Sequence, residues 1–326
     1  MLLFSFVLLF ILIMASSITT LSDAKSVEML PLVIENEIQV PAAPEPTAFP
    51  LTSPCGARLA TRVWVSSRLP KKLRGIVLCV HGRGWHSGYF SHLAKQIVNN
   101  VDGVLVAAYD QPSCGYSQDN PEAPSGQCTH IYEFADLVDE VYQAIEWCRL
   151  EASVHTNNRT TAAAIPVYLL GESFGGNQVL AAAMETRERK LYKIQGFICL
   201  GAALRVAPQL RPPPFVMKMM SWLAPYYAKT RLPLRNMETT IKEQDFGDVR
   251  WARVTKSDAK VARNLSFTLG AAVATLNQGE FLLQEAHKFQ VPLLALHGRH
   301  DGRTQCKQSM NLLTVSMDST KMPNLF

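Results

Sequence analysis

The segment Val167-Tyr168-Leu169-Leu170-Gly171-Glu172-Ser173-Phe174-Gly175-Gly176 leaves this chain few ways to fold. A run of strand formers stops at Gly171, and a helix-prone segment, residues 177–185, begins just after Gly176. Between them lies Gly-x-Ser-x-Gly, the pattern of a sharp strand-to-helix bend that lifts a serine hydroxyl clear of the backbone. Side chains at Gly171 and Gly175 would collide across such a bend, so both positions call for glycine. The helix that follows points its unpaired N–H groups and positive dipole end at any oxyanion formed over Ser173. The plainer reading is a glycine-rich β–α connection that only packs the helix close to the sheet. A strand before and a helix after favour a nucleophilic serine.

Around this turn, strands alternate with helices. Strand-like runs occupy residues 59–66, 74–80, 103–109, 194–200 and 291–296, and helical periodicity occupies residues 87–99, about 131–151 and 274–288. The expectation is an α/β fold, mainly a parallel doubly wound sheet with helices on both faces. At 326 residues the chain is long enough for one such domain, expected over 51–326, with an insertion at about 203–276. Pro208, Pro212 to Pro214 and Pro225 punctuate that insertion around a methionine-rich stretch, residues 215–223. It reads as a cap whose adaptable Met side chains suit a greasy ligand, or as a second helical layer of core.

Residues 2–14 are apolar and are followed by small, hydroxyl-bearing residues up to Ala24. Residues 1–24 therefore read as a secretory signal peptide or, with the apolar run extended to Leu21, as an uncleaved membrane anchor. Either one sends the domain into the secretory pathway, secreted or anchored in an endomembrane. The sequons at Asn158 and Asn264 are compatible with that route. Residues 25–50, which mix acidic residues with Pro41, Pro44, Pro46 and Pro50, read as a linker. The net charge of +5 is spread along the chain without a basic cluster, so no nucleic-acid partner is expected. Seven cysteines leave at least one unpaired within the monomer. Cys79 and Cys199 sit in strand-like runs as buried thiols, whereas Cys114 and Cys128 flank one polar loop and could bridge in a lumen. No Cys or His spacing suggests zinc, and no motif calls for a cofactor.

Three loops at strand ends carry residues suited to acyl transfer. Ser173 is the candidate nucleophile. The backbone N–H groups of Arg83, after His81-Gly82, and of Phe174 are candidate oxyanion donors. Asp301 is the candidate acid that orients a histidine, in the chain order Ser…Asp…His.

With these motifs in place, residues 59–314 resemble the monoacylglycerol lipase/lysophospholipase-like α/β-hydrolases, also grouped with the serine aminopeptidase-like hydrolases. The resemblance rests on His81-Gly82-x-Gly84-x-His86-Ser87-Gly88-Tyr89-Phe90, on Asp110 with Gly115-Tyr116-Ser117, and on the nucleophile turn. It rests also on Val291-Pro292-Leu293-Leu294-Ala295-Leu296-His297-Gly298 with Asp301. It implies hydrolysis of a single-chain lipid ester through an acyl-serine, without a cofactor; the N-terminal segment and the cap add the expectation of a membrane surface as a partner. It makes Asp110 a structural loop residue and leaves neither His81 nor His86 as the base.

Two departures stand out. Pro112-Ser113-Cys114-Gly115 replaces the Gly-His-Gly-like run that the family shows after the aspartate, and reshapes one pocket wall. The triad histidine is expected on a loop after a last strand, yet this sequence has no histidine after His300, and His300 is poorly placed beside the acid. Loss of that histidine costs about 10⁶ in turnover. The expectation is therefore an esterase scaffold lacking its C-terminal strand, helix and base, explained first by a truncated or alternatively spliced form. The alternative is a non-catalytic pseudo-hydrolase that binds lipid.

Overall fold

The computed structural model describes residues 43–66, 73–124, 130–131, 133–156, 159–185, 192–208, 211–232, 249–261, 267–289, 292–299 and 301–316. The expectations for residues 1–24, for both sequon asparagines, for Cys128, for His300 and for residues 317–326 lie outside the described residues.

Seven strands form one sheet: β1 (Thr47–Thr52), β2 (Arg58–Val65), β3 (Gly75–Val80), β4 (Val104–Tyr109), β5 (Val167–Glu172), β6 (Ile194–Leu200) and β7 (Leu293–Leu296), in the order β1-β2-β4-β3-β5-β6-β7. The β1–β2 and β2–β4 pairs are antiparallel, and the pairings from β4 to β7 are parallel. β3 and β4 are buried at every position, as strands covered on both faces must be.

Period-two alternation splits these strands between two cores. Ile76, Leu78, Leu105, Leu169 and Phe197 face α2 (Phe134–Thr156) and α4 (Phe174–Glu185). Val77, Cys79, Val106, Leu170 and Ile198 face α1 (Ser91–Asn100), which buries Ala94, Ile97 and Val98 at helical spacing. The Cys79 and Cys199 thiols are buried, and burial pushes both far up, which keeps them protonated.

Because the chain winds outward from β3 to β4 and returns to β5, β3 and β5 are neighbours at the point where the winding reverses. Ligands in such sheets bind outside the carboxyl ends of the strands at that point. Val80 pairs with Gly171 there, so the loop after β3 and the nucleophile turn emerge side by side.

A short helix, α3 (Arg159–Ala164), precedes β5. The stretch read as an insertion holds α5 (Pro214–Tyr227), α6 (Val249–Ser257) and the start of α7 (Leu269–Gln284). Pro214 occupies the first turn of α5, where its missing N–H costs nothing. Thr268 caps α7 by accepting the Ala271 N–H at 3.2 Å. Met220 packs on Leu269, Ala272 and Val273 of α7, so one methionine of the rich stretch is core, while Phe215, Met219, Trp222 and Tyr226 of α5 face outward. Among the described residues, no helix is long and apolar enough to cross a membrane.

Several elements differ from the sequence expectation, among them α3, which was not expected, and α7, which begins five residues before residue 274. β1 begins at Thr47, inside the stretch read as a linker, and α4 begins at Phe174, three residues earlier than expected. A helix, α8 (Cys306–Ser316), follows Asp301 where no element was expected.

Candidate active site

Ser173 has φ of +52°, a left-handed conformation that costs a non-glycine residue about 1–3 kcal/mol. Its own peptide groups hold it there. Its N–H donates to the Leu200 carbonyl at 2.9 Å, and its carbonyl accepts from Gly176 and Ala203 at 3.0 and 2.9 Å. The glycines act as the sequence requires. A Cβ on Gly171 would lie 2.4 Å from the Gly175 carbonyl oxygen, and one on Gly175 would lie 2.1 Å from that of Val80. Ser173 keeps some solvent contact rather than being packed under. Phe174 opens α4, so its N–H is one of the first-turn amides that no earlier helical carbonyl accepts.

The loop after β3 is anchored by His81. Its Nδ1–H donates to the Gly82 carbonyl at 2.7 Å, and its Nε2 accepts from the Gln111 N–H at 2.9 Å. This network assigns a neutral ring, and burial pushes its pKa down to about 4. Gln111 also donates to the His81 carbonyl at 2.5 Å, and Gln178 of α4 donates to Gln111 at 2.7 Å. α4 and the loop after β3 thus share one buried chain of hydrogen bonds. His86 is committed elsewhere: its Nδ1 accepts from Gly88 at 3.2 Å, and its Nε2–H donates to Asp258, beyond α6, at 2.8 Å. Both rings have structural partners, in keeping with the expectation that neither is the base.

Asp110, after β4, is the structural residue that the resemblance implies. Its carboxylate accepts from the N–H groups of Ser87 at 2.7 Å and Tyr116 at 2.9 Å, and meets buried Arg62 at 3.4 Å. Burial opposes its charge, but the interaction with His81, these hydrogen bonds and Arg62 outweigh it and hold the carboxyl below its ordinary value.

Asp301 follows β7. Its Oδ1 accepts from the N–H groups of Arg303 at 2.7 Å and Thr304 at 3.0 Å. Its Oδ2 accepts from the Thr304 hydroxyl at 2.6 Å and from His297 Nε2 at 3.1 Å. Partial burial opposes the charge, yet these four donors win and hold the carboxyl far below its ordinary range. His297 is oriented in turn by the Ser309 hydroxyl at 2.8 Å. A Cβ on Gly201, just past β6, would lie 3.7 Å from Asp301 Oδ2, while Ser173 bonds to Leu200 and Ala203 on either side of that glycine. The fold therefore brings Ser173 and Asp301 to the same exit, that of β6. Among the described residues, no histidine ring is hydrogen-bonded to the Ser173 hydroxyl.

Arg83 and Phe174 line one cavity of about 360 Å³, together with Gln111, Ile131 and Leu137. Carboxylates of Glu122, Glu133 and Asp136 also line it, beside apolar side chains. It sits at the start of α2 and not under the methionine-rich helix. Gln111, Gln178, Thr304 and Ser309 were missed in the sequence because their partners are distant or carry no motif. His297 was visible as part of the His-Gly-x-x-Asp run.

The profile of the family described as "Serine aminopeptidase, S33" matches residues 71–322. The chain is 26% identical over 246 residues to a monoacylglycerol lipase of Mycolicibacterium smegmatis, covering 76% of each protein. It is 23% identical over 274 residues to a monoglyceride lipase of Homo sapiens, covering 83% of this chain and 78% of that one. In structure it superposes on the monoglyceride lipase of Saccharomyces cerevisiae, crystallised as a soluble variant with a substrate analog. That match has a TM-score of 0.63 and 19% identity, covering 89% of this chain and 87% of that one. The monoacylglycerol lipase of Paleococcus ferrophilus superposes with a TM-score of 0.60 and 21% identity, over 79% and 84% of the two chains. On the profile match and these relatives, with the strained serine turn at the sheet's switch point, the chain belongs to the serine aminopeptidase S33 family of α/β-hydrolases and is similar to the monoacylglycerol lipases.

Proposed function

We propose that this protein is a serine hydrolase that cleaves carboxylic esters of single-chain lipids, monoacylglycerol or lysophospholipid, through an acyl-Ser173 intermediate. The observation that carries the reading is Ser173 held at φ +52° between β5 and α4, beside the loop after β3. In this mechanism the Ser173 Oγ attacks the ester carbonyl carbon and passes its proton to a general base oriented by Asp301, which then hands that proton to the departing alcohol oxygen. The negative oxygen of the tetrahedral intermediate accepts from the Arg83 and Phe174 amides, each worth about 3–4 kcal/mol. The alcohol leaves, and water then releases the fatty acid. Asp301 is the acid of the triad, and its low pKa keeps it charged to orient and stabilise a cationic base. The described residues present no imidazole to Ser173, and this favours a second reading, a lipid-binding pseudo-hydrolase.

We also place the protein at a membrane surface in the secretory pathway. The supports are the apolar N-terminal run and the α5 face Phe215, Met219, Trp222 and Tyr226, spaced as one helical stripe with exposed Lys218 beside it. Release of fatty acid from monoacylglycerol by the full chain, compared with Ser173→Ala, tests the reaction. Release that needs Ser173 supports the enzyme. Binding of monoacylglycerol without release, equal in the two proteins, supports the pseudo-hydrolase.

A further inference from the structure

Glu172 immediately precedes the nucleophile, and the Gly-x-Ser-x-Gly pattern sets no residue at its position. In the structure it crosses from the end of β5 to the neighbouring strand's loop, where its Oε2 accepts the Gly82 N–H at 2.8 Å. The contact is tight. A Cβ on Gly82 would fall 2.2 Å from that same Oε2 and 3.1 Å from the Ser173 Cβ, so carboxylate, nucleophile and loop occupy one small volume. Two consequences follow from the geometry. The Gly82 amide is committed to Glu172, which leaves Arg83 as the next amide of the loop for an oxyanion. The bond also ties the loop bearing Arg83 to the residue next to Ser173, so it sets the spacing between nucleophile and oxyanion donor. Such spacing matters because donors stabilise charge only when fixed in place before it develops.

We infer that Glu172 is a positioning residue for acyl transfer: as a carboxylate it holds the Gly82 amide and thereby sets the Arg83 loop against Ser173. This rests on the serine-hydrolase reading above. A charge-assisted hydrogen bond is stronger than a neutral one, so the hold is tightest when Glu172 is ionised. Enclosure by protein pushes its carboxyl up to about 7, helped by the charge of Asp301 and partly offset by the Gly82 bond. Among the described residues, Asp301 is the charged group that acts on it. Asp301 stays ionised across the working range, so its effect on Glu172 is constant there.

The test is the rate at which a fluorophosphonate probe labels Ser173 in the full chain between pH 5.5 and 8.5. The wild type, Glu172→Gln and Glu172→Ala are compared, with thermal unfolding of each. Wild-type labelling is expected to fall as pH drops through about 7. Glu172→Gln keeps a neutral acceptor for Gly82, so it should label within a few-fold of wild type at high pH and lose that limb. Glu172→Ala should label roughly 10-fold more slowly at every pH while the Gln variant remains folded. A limb that persists unchanged in Glu172→Gln, or labelling that rises as pH falls, overturns the inference and leaves the serine-hydrolase reading standing. A folded wild type that takes no label at any pH overturns that reading, and this inference with it.

Discussion

The Ser173 turn and the outward face of α5 are held in opposite ways. At the turn, backbone bonds to Leu200, Gly176 and Ala203 fix a strained serine, and the glycines there meet backbone atoms that have nowhere to move. On α5, Met220 alone is buried, while Phe215, Trp222 and Tyr226 are between 71% and 76% exposed. One region stores strain and permits no change. The other carries aromatic area in water and is free to meet a surface. The contrast teaches that this fold places its strained, over-determined backbone at the sheet's switch point and its exposed aromatic area on a lightly held helix.

The largest effect that would break this comparison is at Gly175. Gly175→Ala should destabilise the protein by about 3 kcal/mol in urea unfolding, since its Cβ would lie 2.1 Å from the Val80 carbonyl oxygen. Gly298, near Asp301, has nothing within 4 Å of a built Cβ, so Gly298→Ala should stay within about 0.5 kcal/mol. Equal costs at the two glycines would show that the turn is not specially constrained.

A second effect sharpens the picture of the core beneath the site. Glu140 of α2 is buried, and burial pushes its carboxyl from 4.5 up to about 7, with Ser53 and Tyr109 opposing only in part. Between those values the unfolded chain releases a proton that the folded chain keeps, so stability falls as pH rises through that window and stays lower above it. Glu140→Gln should flatten this dependence and raise stability at pH 8 by about 2 kcal/mol, read from urea midpoints across pH. An unchanged slope in the Gln variant would assign it elsewhere.

The smallest change in stability is expected on the cap. Trp222→Ser should alter unfolding by no more than about 0.5 kcal/mol, yet weaken sedimentation with anionic lipid vesicles several-fold. Equal vesicle binding would remove the α5 face as a lipid-docking surface.

The parts of the fold legible in the sequence are those set by local rules. The strand before Gly171, the glycines and the alternation of strands with helices each leave a pattern in neighbouring residues. β1 was hidden because Pro46 and Pro50 mark it as a linker, and because it runs at the sheet edge with Phe49 left-handed and a register shift against β2. The early start of α4 was hidden by Gly175 and Gly176, poor helix formers retained for lack of space. At the site, Ser173 and Asp301 were visible as strand-end residues and do converge on the β6 exit. The His81–Gln111–Gln178 chain and the Glu172–Gly82 bond were not visible. They join residues 30 to 90 positions apart, and hydrogen bonds between distant segments leave no periodicity to read.

The most direct measurement is peptide mass mapping of the full chain after exposure to a fluorophosphonate. The account predicts one adduct, on the peptide that carries Ser173, and none on that peptide in Ser173→Ala. A folded protein with no adduct at Ser173, or one modified on another residue instead, would contradict the claim that the fold presents this serine as its nucleophile.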